Sequence, residues 1–340
     1  MGIETALKKL SEKEDLSDKL AYDSMNEIMS GEASEIAIAA FLTALRLKGE
    51  TIDEIYGSSK VMREKALKVE CISTDVVDTC GTGGDGAQTF NISTTAMFVA
   101  ACNQVKIAKH GNRSVTSKSG AADVLEALGA GISISPAAIA ECIDQIGVGF
   151  MFAPQFHSSM KYAMPVRKAL GFRTIFNVLG PLANPAGAQR QLLGVYDKNL
   201  VRLAAEVLKK HHAIHAMVVY GSDGLDEITL TGPTYVAELK DGAVKEYMIN
   251  PQDYGFTLCS AKDLKGGSPE ENAQITLGIL AGGLGPKANT VILNAGAAIY
   301  VGGKAESLQE GIEKARATVK EKRALPVLKE FIARTKEHKQ

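Results

Sequence analysis

A stretch rich in glycine, hydroxyl and amide side chains, residues 78–95, has the composition of an anion-binding loop. It reads DTCGTGGDGAQTFNISTT and lies between the apolar pair Val76 and Val77 and the apolar run 96–101. A strand, a glycine-rich turn and a helix in this order gather backbone N–H groups around phosphate. Because glycine permits positive φ and close backbone approach, we expect the four glycines at 81, 83, 84 and 86 to shape a phosphate site.

Two well-known nucleotide motifs do not explain this loop. Gly81, Gly83 and Gly86 satisfy G-x-G-x-x-G, but that fingerprint requires an acid about 20 residues further on. No Asp or Glu lies between Gly86 and Asp123, and no Gly-Lys-Ser/Thr of a Walker loop follows. Because Asp85 would repel a bare phosphate, the ligand is expected to bring a divalent cation or ribose hydroxyls. A structural glycine turn is the remaining alternative.

A second polar segment, KHGNRSVTSKSG at residues 109–120, follows the apolar stretch 105–108. We predict a strand over that stretch and a loop after it. Lysine supplies point charges and arginine can fork across two oxygens, so the cluster is typical of polyanion binding. A helix is predicted over 121–130, with Asp123 near its start in a structural role, since the helix dipole favours a negative charge there.

Five motifs in order carry a family resemblance. Three lie in these two loops, GTGGD at 81–85, NIST at 91–94 and KHGNR at 109–113, and two follow, RTIFNVLGPL at 173–182 and the pair Asp226-Glu227. In this order the chain resembles the anthranilate phosphoribosyltransferases of tryptophan biosynthesis over essentially its whole length, and more distantly the pyrimidine nucleoside phosphorylases. The resemblance implies transfer of the 5-phosphoribosyl group of phosphoribosyl pyrophosphate (PRPP) to the amine of anthranilate, with release of pyrophosphate.

The resemblance also implies which residues of this sequence bind each ligand. For PRPP these are Gly81, Gly84, Asp85, Thr89, Asn91, Ile92, Ser93, Thr94, Lys109, His110, Gly111, Asn112, Arg113, Ser114, Ser117 and Ala121. For anthranilate they are Gly81, His110, Asn112, His157, Tyr162, Arg167 and Gly180. For magnesium, with two ions expected, they are Ser93, Asp226 and Glu227. Asp223 is excluded from the metal set as one acid too early.

Several individual residues have specific expected roles. Arg167 lies on a segment with helical character and could form a charged hydrogen bond to a carboxylate, although without the resemblance it would be an ordinary surface-helix arginine. Ala121 stands where the family often has serine, so PRPP binding is expected to weaken modestly. No covalent nucleophile is required, but Cys80 adjoins the loop and is a candidate reactive thiol. The histidines at 211, 212 and 215 lack acidic or cysteine companions and are interpreted as packing or surface residues.

Composition sets limits that agree with this interpretation. The 340 residues are 45% hydrophobic, enough for two domains with a substantial core. The 38 basic and 39 acidic residues balance, which argues against a nucleic-acid scaffold. The five cysteines show no C-x-x-C pair, and neither a signal peptide nor a membrane-spanning stretch is found, so a soluble cytoplasmic protein is expected.

The pattern along the chain predicts two domains. Residues 1–70 show helical periodicity alone, with Ser17 as an N-cap and Thr51-Glu54 as a capping box, and are expected to form a helical domain that mediates a homodimer. From residue 71 to 340, strands and helices alternate until Asp241-Gly242 marks a hairpin. This order predicts an α/β domain with a mixed, mostly parallel central sheet flanked by helices.

Two other functions compete with the transferase. A pyrimidine nucleoside phosphorylase would share the fold and the second loop, but it would use free phosphate and would not need the Asp226-Glu227 pair. A non-catalytic nucleic-acid-binding relative would show excess basic charge and eroded loops, whereas here the charges balance and both loops are intact.

Overall fold

The structure is a computed structural model that describes residues 2–114 and 118–338; Ser117, expected above to bind PRPP, lies outside them. The N-terminal part is helical, as predicted. Its helices are α1 (Gly2–Ser11), α2 (Asp18–Ser30), α3 (Glu35–Lys48) and α4 (Ile52–Lys65). The Ser17 hydroxyl accepts the Leu20 N–H at 3.3 Å, and Thr51 with Glu54 forms the predicted capping box.

Strands and helices then alternate. The strands are β1 (Val76–Gly81), β2 (Lys106–Gly111), β3 (Val148–Phe152), β4 (Arg190–Gly194), β5 (His215–Gly221), β6 (Thr234–Lys240) and β7 (Ala243–Ile249). The helices up to β5 are α5 (Ile92–Ala101), α6 (Ala121–Ala127), α7 (Pro136–Gln145), α8 (Ala153–Phe156), α9 (Met164–Leu170), α10 (Phe176–Leu179) and α11 (Leu200–Lys210). After β7 follow α12 (Pro269–Leu280), α13 (Pro286–Val301), α14 (Leu308–Lys320) and α15 (Ala324–Glu337).

Within the described ranges the strands form one seven-stranded sheet in the order β3-β2-β1-β4-β5-β6-β7. The first five strands in that order are parallel, and β6 and β7 are antiparallel to their neighbours. Asp241 and Gly242 have φ of 51° and 74°, the left-handed conformation of the predicted hairpin turn. The chain winds outward from β1 to β3 and returns to β4, so the topological switch point lies between β1 and β4. Ligands in open α/β sheets bind at the carboxyl ends of strands at such a point.

Several predicted element ends were wrong. The second loop was expected to begin at Lys109, but β2 runs to Gly111 because it continues to pair with β3 through Gly111 and Phe152. Gly81 was likewise expected in a loop, yet it pairs with Gly194 as the last residue of β1. The helix predicted over 121–130 is shorter and ends at Ala127.

Alternating side chains of the sheet face two different cores. On one face, Leu192, Met217 and Val219 pack with residues of α5, α13 and the C-terminal helices. On the other face, Leu193 and Val218 pack with residues of α1–α4 and α11. Within the described residues, no helix is both long and apolar enough to cross a membrane.

Candidate active site

Asp226 lies directly over the ends of β1 and β4, at the switch point. A Cβ added to Gly81 would collide with the Asp226 carboxylate, and one added to Gly194 would collide with its backbone carbonyl. Glycine at these two paired positions therefore lets the 221–227 loop reach the glycine-rich loop. Asp226 Oδ2 accepts the Gly83 N–H at 2.7 Å, which ties the two loops together.

The glycine-rich loop leaves β1 in a left-handed conformation. Gly83, Gly84 and Gly86 have φ of 66°, 76° and 73°, which glycine adopts without steric cost. At the far end of the loop, Thr89 forms an isolated antiparallel bridge with Lys265. Both ends of the loop are thus anchored, and its apex at 83–86 is half-buried or exposed.

Glu227 and Lys109 meet at the start of α5. Glu227 Oε1 accepts the Ser93 N–H at 3.0 Å. The Lys109 ammonium donates to the Ser93 hydroxyl at 3.2 Å and to the Thr79 carbonyl. Lys109 is only 2% exposed, so its positive charge is fixed in place among these groups. Two carboxylates, a hydroxyl and an ammonium are therefore brought together from three separate segments: the 221–227 loop, the start of α5, and β2.

The two carboxyl groups are costly to ionise in the protein alone. Burial, followed by the nearby Asp85 charge, raises the pKa of Asp226 to about 7. Burial and the adjacent Asp226 raise the pKa of Glu227 to about 8. A divalent cation reverses this preference because it favours the charged form.

The donor set fits magnesium. This hard cation prefers oxygen and is usually held by one or two carboxylates together with substrate phosphates. No cluster of three or more His, Cys, Asp or Glu side chains arranged to hold a metal occurs in residues 2–114 and 118–338. Asp226 and Glu227 supply two carboxylates of the kind that this ion uses, and a phosphate of the substrate would complete the set.

Asn91 connects the two predicted phosphate loops. Its amide nitrogen donates to the Ser119 carbonyl at 3.1 Å, and its amide oxygen accepts from Asn272 at 2.9 Å. Ile92 and Thr94, each 1% exposed, point into the core. Of these first-turn residues of α5, Ser93 alone directs its side chain toward the carboxylate pair, and the other two could reach a ligand only through backbone groups.

The second loop is organised by Asp123. Its carboxylate accepts the N–H groups of Ser114 at 3.1 Å and Gly120 at 2.8 Å, which confirms its predicted structural role. It also accepts from Arg113 at 2.9 Å, and Glu126 lies 2.5 Å from the same arginine. Arg113 is therefore already paired with two carboxylates through one nitrogen of its guanidinium, and its place among the PRPP ligands stays a prediction.

Asn112 and Ala121 lie at the two ends of the second loop. Asn112 is exposed and its side chain accepts the Arg113 N–H at 2.7 Å. Ala121 is the first residue of α6, and a Cβ on Gly111 would lie 3.3 Å from the Ala121 methyl group. The Ala121 methyl group thus faces the end of β2, in the place of the hydroxyl that the family often has at this position.

His110 and His157 form a buried aromatic pair beside Gly180. Their ring centroids are 5.0 Å apart. Burial lowers the pKa of His110 to about 3 and that of His157 to about 4, although hydrogen bonds to the backbone at Gly180 and Ala183 oppose the change. Both rings are neutral at pH 7, and in the described structure neither Nε2 atom has a hydrogen-bond partner.

Arg167 closes this region from α9. Its guanidinium stacks over the Phe176 ring at 5.2 Å, four residues before Gly180. Burial lowers the pKa of Arg167, and no carboxylate of the described residues forms an ion pair with it. Tyr162 packs elsewhere: a Cβ on Gly31, at the end of α2, would collide with its ring. The place of Tyr162 in an acceptor pocket stays a prediction.

Sequence reasoning overlooked Arg173 and misjudged Cys80. Arg173 stacks on Tyr196 at 4.2 Å and donates to the Gly84 carbonyl; its position at the start of a quoted motif was the available signal. Cys80 is 7% exposed, and burial raises the pKa of its thiol well above the ordinary value. The prediction that Cys80 is a reactive thiol was therefore wrong. Among the histidines, His211 bonds to Ser59 at 2.7 Å, which confirms a packing role for that residue.

Comparison with known proteins agrees with this geometry. The profile of the glycosyl transferase family a/b domain matches residues 73–325, and that of the family's helical bundle domain matches 4–66. The anthranilate phosphoribosyltransferase of Thermoanaerobacter sp. (strain X514) is 51% identical over 97% of this chain and 98% of its own length.

Solved structures give the same result. The anthranilate phosphoribosyltransferase of Thermus thermophilus superposes with a TM-score of 0.93 at 41% identity, covering 97% of this chain and 99% of its own. The Saccharomyces cerevisiae enzyme in complex with PRPP and Mg superposes with a TM-score of 0.89 at 29% identity, covering 98% of each chain. That enzyme has also been solved with 4-fluoroanthranilate. By matched domains, identity and fold, this chain belongs to the anthranilate phosphoribosyltransferase family of glycosyl transferases.

Proposed function

We propose that this protein transfers the 5-phosphoribosyl group of PRPP to the amine of anthranilate, giving N-(5-phosphoribosyl)anthranilate and pyrophosphate, a step of tryptophan biosynthesis. One observation carries the proposal. Asp226, Glu227, Ser93 and Lys109 converge beside a left-handed glycine loop at the topological switch point. This combination suits a phosphorylated ligand accompanied by a divalent cation.

The phosphate side of the site performs binding and charge stabilisation. The glycine loop at 83–86 and the start of α5 would supply backbone N–H groups to the pyrophosphate, beyond those of Gly83 and Ser93, which bond to Asp226 and Glu227. Lys109 supplies a fixed positive charge from the neighbouring strand. Magnesium held by Asp226, Glu227 and Ser93 would supply neutralisation of charge on the departing pyrophosphate. Because pyrophosphate is a good leaving group, the protein needs no covalent nucleophile, and the buried Cys80 thiol plays no part.

The acceptor side performs orientation. Arg167 is a guanidinium without an acidic partner in the described structure, and it can form a forked pair with the anthranilate carboxylate. The neutral rings of His110 and His157 offer an aromatic surface for the anthranilate ring. Their Nε2 atoms, which have no partner in the described structure, can accept from the anthranilate amine. Holding the amine toward the ribose C1 carbon turns a bimolecular attack into a local one.

We further infer a homodimer formed through the helical domain, residues 1–70, and a cytoplasmic location. On α3, Ile36 is 84% exposed and Leu47 is 83% exposed. Ile36 and Ala39 line an apolar cleft together with Pro165 and Ala169 of α9, and apolar surface of this kind commonly marks a protein interface. All five cysteines are free thiols, as in reducing compartments.

The direct test is loss of anthranilate fluorescence when purified protein is mixed with PRPP and magnesium. The expected result is consumption with magnesium and none with EDTA. Cleavage of uridine or thymidine by phosphate, with anthranilate unchanged, would instead identify a nucleoside phosphorylase. Absence of both reactions would leave a non-catalytic binding protein.

A further inference from the structure

The sheet is split between two neighbouring parallel strands, β1 and β2. These strands pair through only two positions, Val76 with Lys106 and Val77 with Ile107. Beyond that point each continues with its outer neighbour, β1 with β4 to Gly81 and β2 with β3 to Gly111. The last four residues of β1 and β2 therefore lie beside each other without a backbone ladder.

A split in a parallel sheet leaves backbone N–H and C=O groups without partners, and buried groups of this kind must be satisfied. Two side chains fill the gap. Asp78 Oδ1 accepts the His110 N–H at 3.1 Å. The Asn184 amide nitrogen donates to Asp78 Oδ2 at 2.7 Å and to the Ala108 carbonyl at 2.9 Å.

The Lys109 side chain passes into the same gap and donates to the Thr79 carbonyl across it. Asp78 and Asn184 together form a side-chain bridge between the two strands. Both are buried, with Asp78 at 0% and Asn184 at 4% exposure. Burial raises the pKa of Asp78 to about 6, and the Asn184 amide and the Lys109 charge oppose that rise. Asn184 is itself fixed, because its amide oxygen accepts the Ala186 N–H at 2.9 Å.

The residues held by this bridge are those that face the two substrates in the proposed function. Asp78 fixes the backbone of His110, whose ring packs on His157 and contacts the Gly180 backbone. The gap kept open by the bridge gives Lys109 its path to Ser93. If β1 and β2 closed into a regular ladder, the Lys109 side chain would lose its place between them.

We propose that Asp78 and Asn184 are positioning residues that hold β1 and β2 apart and so orient Lys109 toward PRPP and His110 toward anthranilate. This proposal rests on the proposed function for the identity of the two substrates. Both residues are buried, so in this proposal each acts through the strands that carry Lys109 and His110 rather than by touching a substrate.

The test is a double-mutant cycle. Asp78→Asn sets two amide nitrogens against each other, and Asn184→Asp sets two carboxylates against each other. The double variant Asp78→Asn/Asn184→Asp restores one donor and one acceptor between the two side chains. Each single variant is expected to lower kcat/KM for both substrates by roughly tenfold or more, because a buried group without a partner costs about 1–3 kcal/mol, and the double variant should recover part of that loss.

Asn103→Asp is the matched control. Asn103 donates to the Val99 carbonyl and the Thr318 hydroxyl at the far end of α5, so this variant also loses amide donors. It should lower the unfolding temperature while leaving both KM values unchanged. If Asp78→Asn does not fold, Asn184→Ser carries the same test because it removes the amide donor without changing charge.

A second measurement separates this proposal from the proposed function. Amide hydrogen exchange of residues 106–111, followed without substrate, should become faster in each single variant and slower again in the double variant. If the natural protein consumes no anthranilate, the proposed function fails and exchange alone decides this inference. Single variants that match Asn103→Asp in kcat/KM and in exchange, or losses that simply add in the double variant, would overturn it.

Discussion

Arg167 and Arg113 show how differently two arginines of one protein can be prepared for an anion. Arg113 is bound to Asp123 and Glu126 on the surface, so its charge is already neutralised. Arg167 is half-buried, stacks on Phe176 and has no acidic partner among the described residues. An uncompensated guanidinium in a partly desolvated position gains more from an incoming carboxylate than an exposed, paired one does.

Arg167→Ala is therefore expected to raise KM for anthranilate and to leave PRPP binding unchanged. Charged hydrogen bonds contribute about 1.5–3 kcal/mol, so kcat/KM for anthranilate should fall by roughly 10- to 150-fold. Steady-state kinetics with each substrate varied in turn measure this. Arg202→Ala is the control, since Arg202 is exposed and pairs with Glu246 at 2.7 Å; equal losses in both variants would refute the assignment.

The sequence alone located these residues by motif but could not determine their contacts. Asp78, an acid at the end of an apolar strand, gave no sign that its partner would be Asn184, more than a hundred residues away. Arg113 was predicted as a phosphate ligand from its neighbours in sequence, and only the fold shows that α6 supplies it with acids. Pairings of this kind depend on tertiary packing, which local patterns do not encode.

The switch point depends on two small residues that face each other across β1 and β4. Gly81 and Gly194 are paired in register, and the 221–227 loop lies over both. Neither glycine has a positive φ, so their role is to provide space rather than an unusual backbone conformation. The sequence predicted Gly81 as a loop residue that permits positive φ, and the actual reason for glycine there became visible only with the neighbouring strand.

Gly194→Ala is expected to displace Asp226 and to weaken magnesium-dependent PRPP binding by at least about tenfold, the order seen when metal ligands lose their support. Calorimetric titration with PRPP and magnesium measures this directly. Gly278→Ala is the matched control: its Cβ would meet nothing within 4 Å, and alanine in the interior of α12 should stabilise the protein by roughly 0.5–1 kcal/mol. Unchanged ligand affinity in Gly194→Ala would contradict the packing argument.

The contact between α4 and α11 predicts a pH dependence of stability. His211 bonds to Ser59, and its ring packs at a tilt against the Tyr56 ring, with the centroids 4.7 Å apart. Burial, with Arg63 nearby, lowers its pKa to about 3. The folded state therefore binds fewer protons than the unfolded state between pH 6.5 and 3, and stability from this group falls as pH falls below 6.5.

Compared with His211→Gln, the natural protein should lose about 1 kcal/mol more unfolding free energy between pH 7.5 and 5.5. Urea unfolding of both proteins at the two pH values gives the difference, and His110 and His157 cancel because both proteins contain them. A difference that stays constant with pH would show that His211 titrates normally in the folded protein.

For the whole molecule, the apolar face of α3 decides the proposed assembly. Ile36→Glu with Leu47→Glu places two charges on the exposed face without touching the buried residues of α3, which are Ile38, Phe41, Leu42 and Leu45. The mass measured by light scattering should fall from two chains to one. Glu35→Gln is a control at the edge of the same cleft and should keep the larger mass; a single-chain mass for the natural protein would refute the dimer.

The helices α1–α4 share one apolar core with α11 and with one face of the sheet, which contributes Leu193 and Val218. Each part therefore covers a surface that the other would expose to water. If the chain were produced as two pieces, residues 1–70 and 71–340, each piece alone should aggregate. Mixed during refolding, the two should recombine into one particle and elute together, so the peptide bond between them is dispensable for holding the native shape.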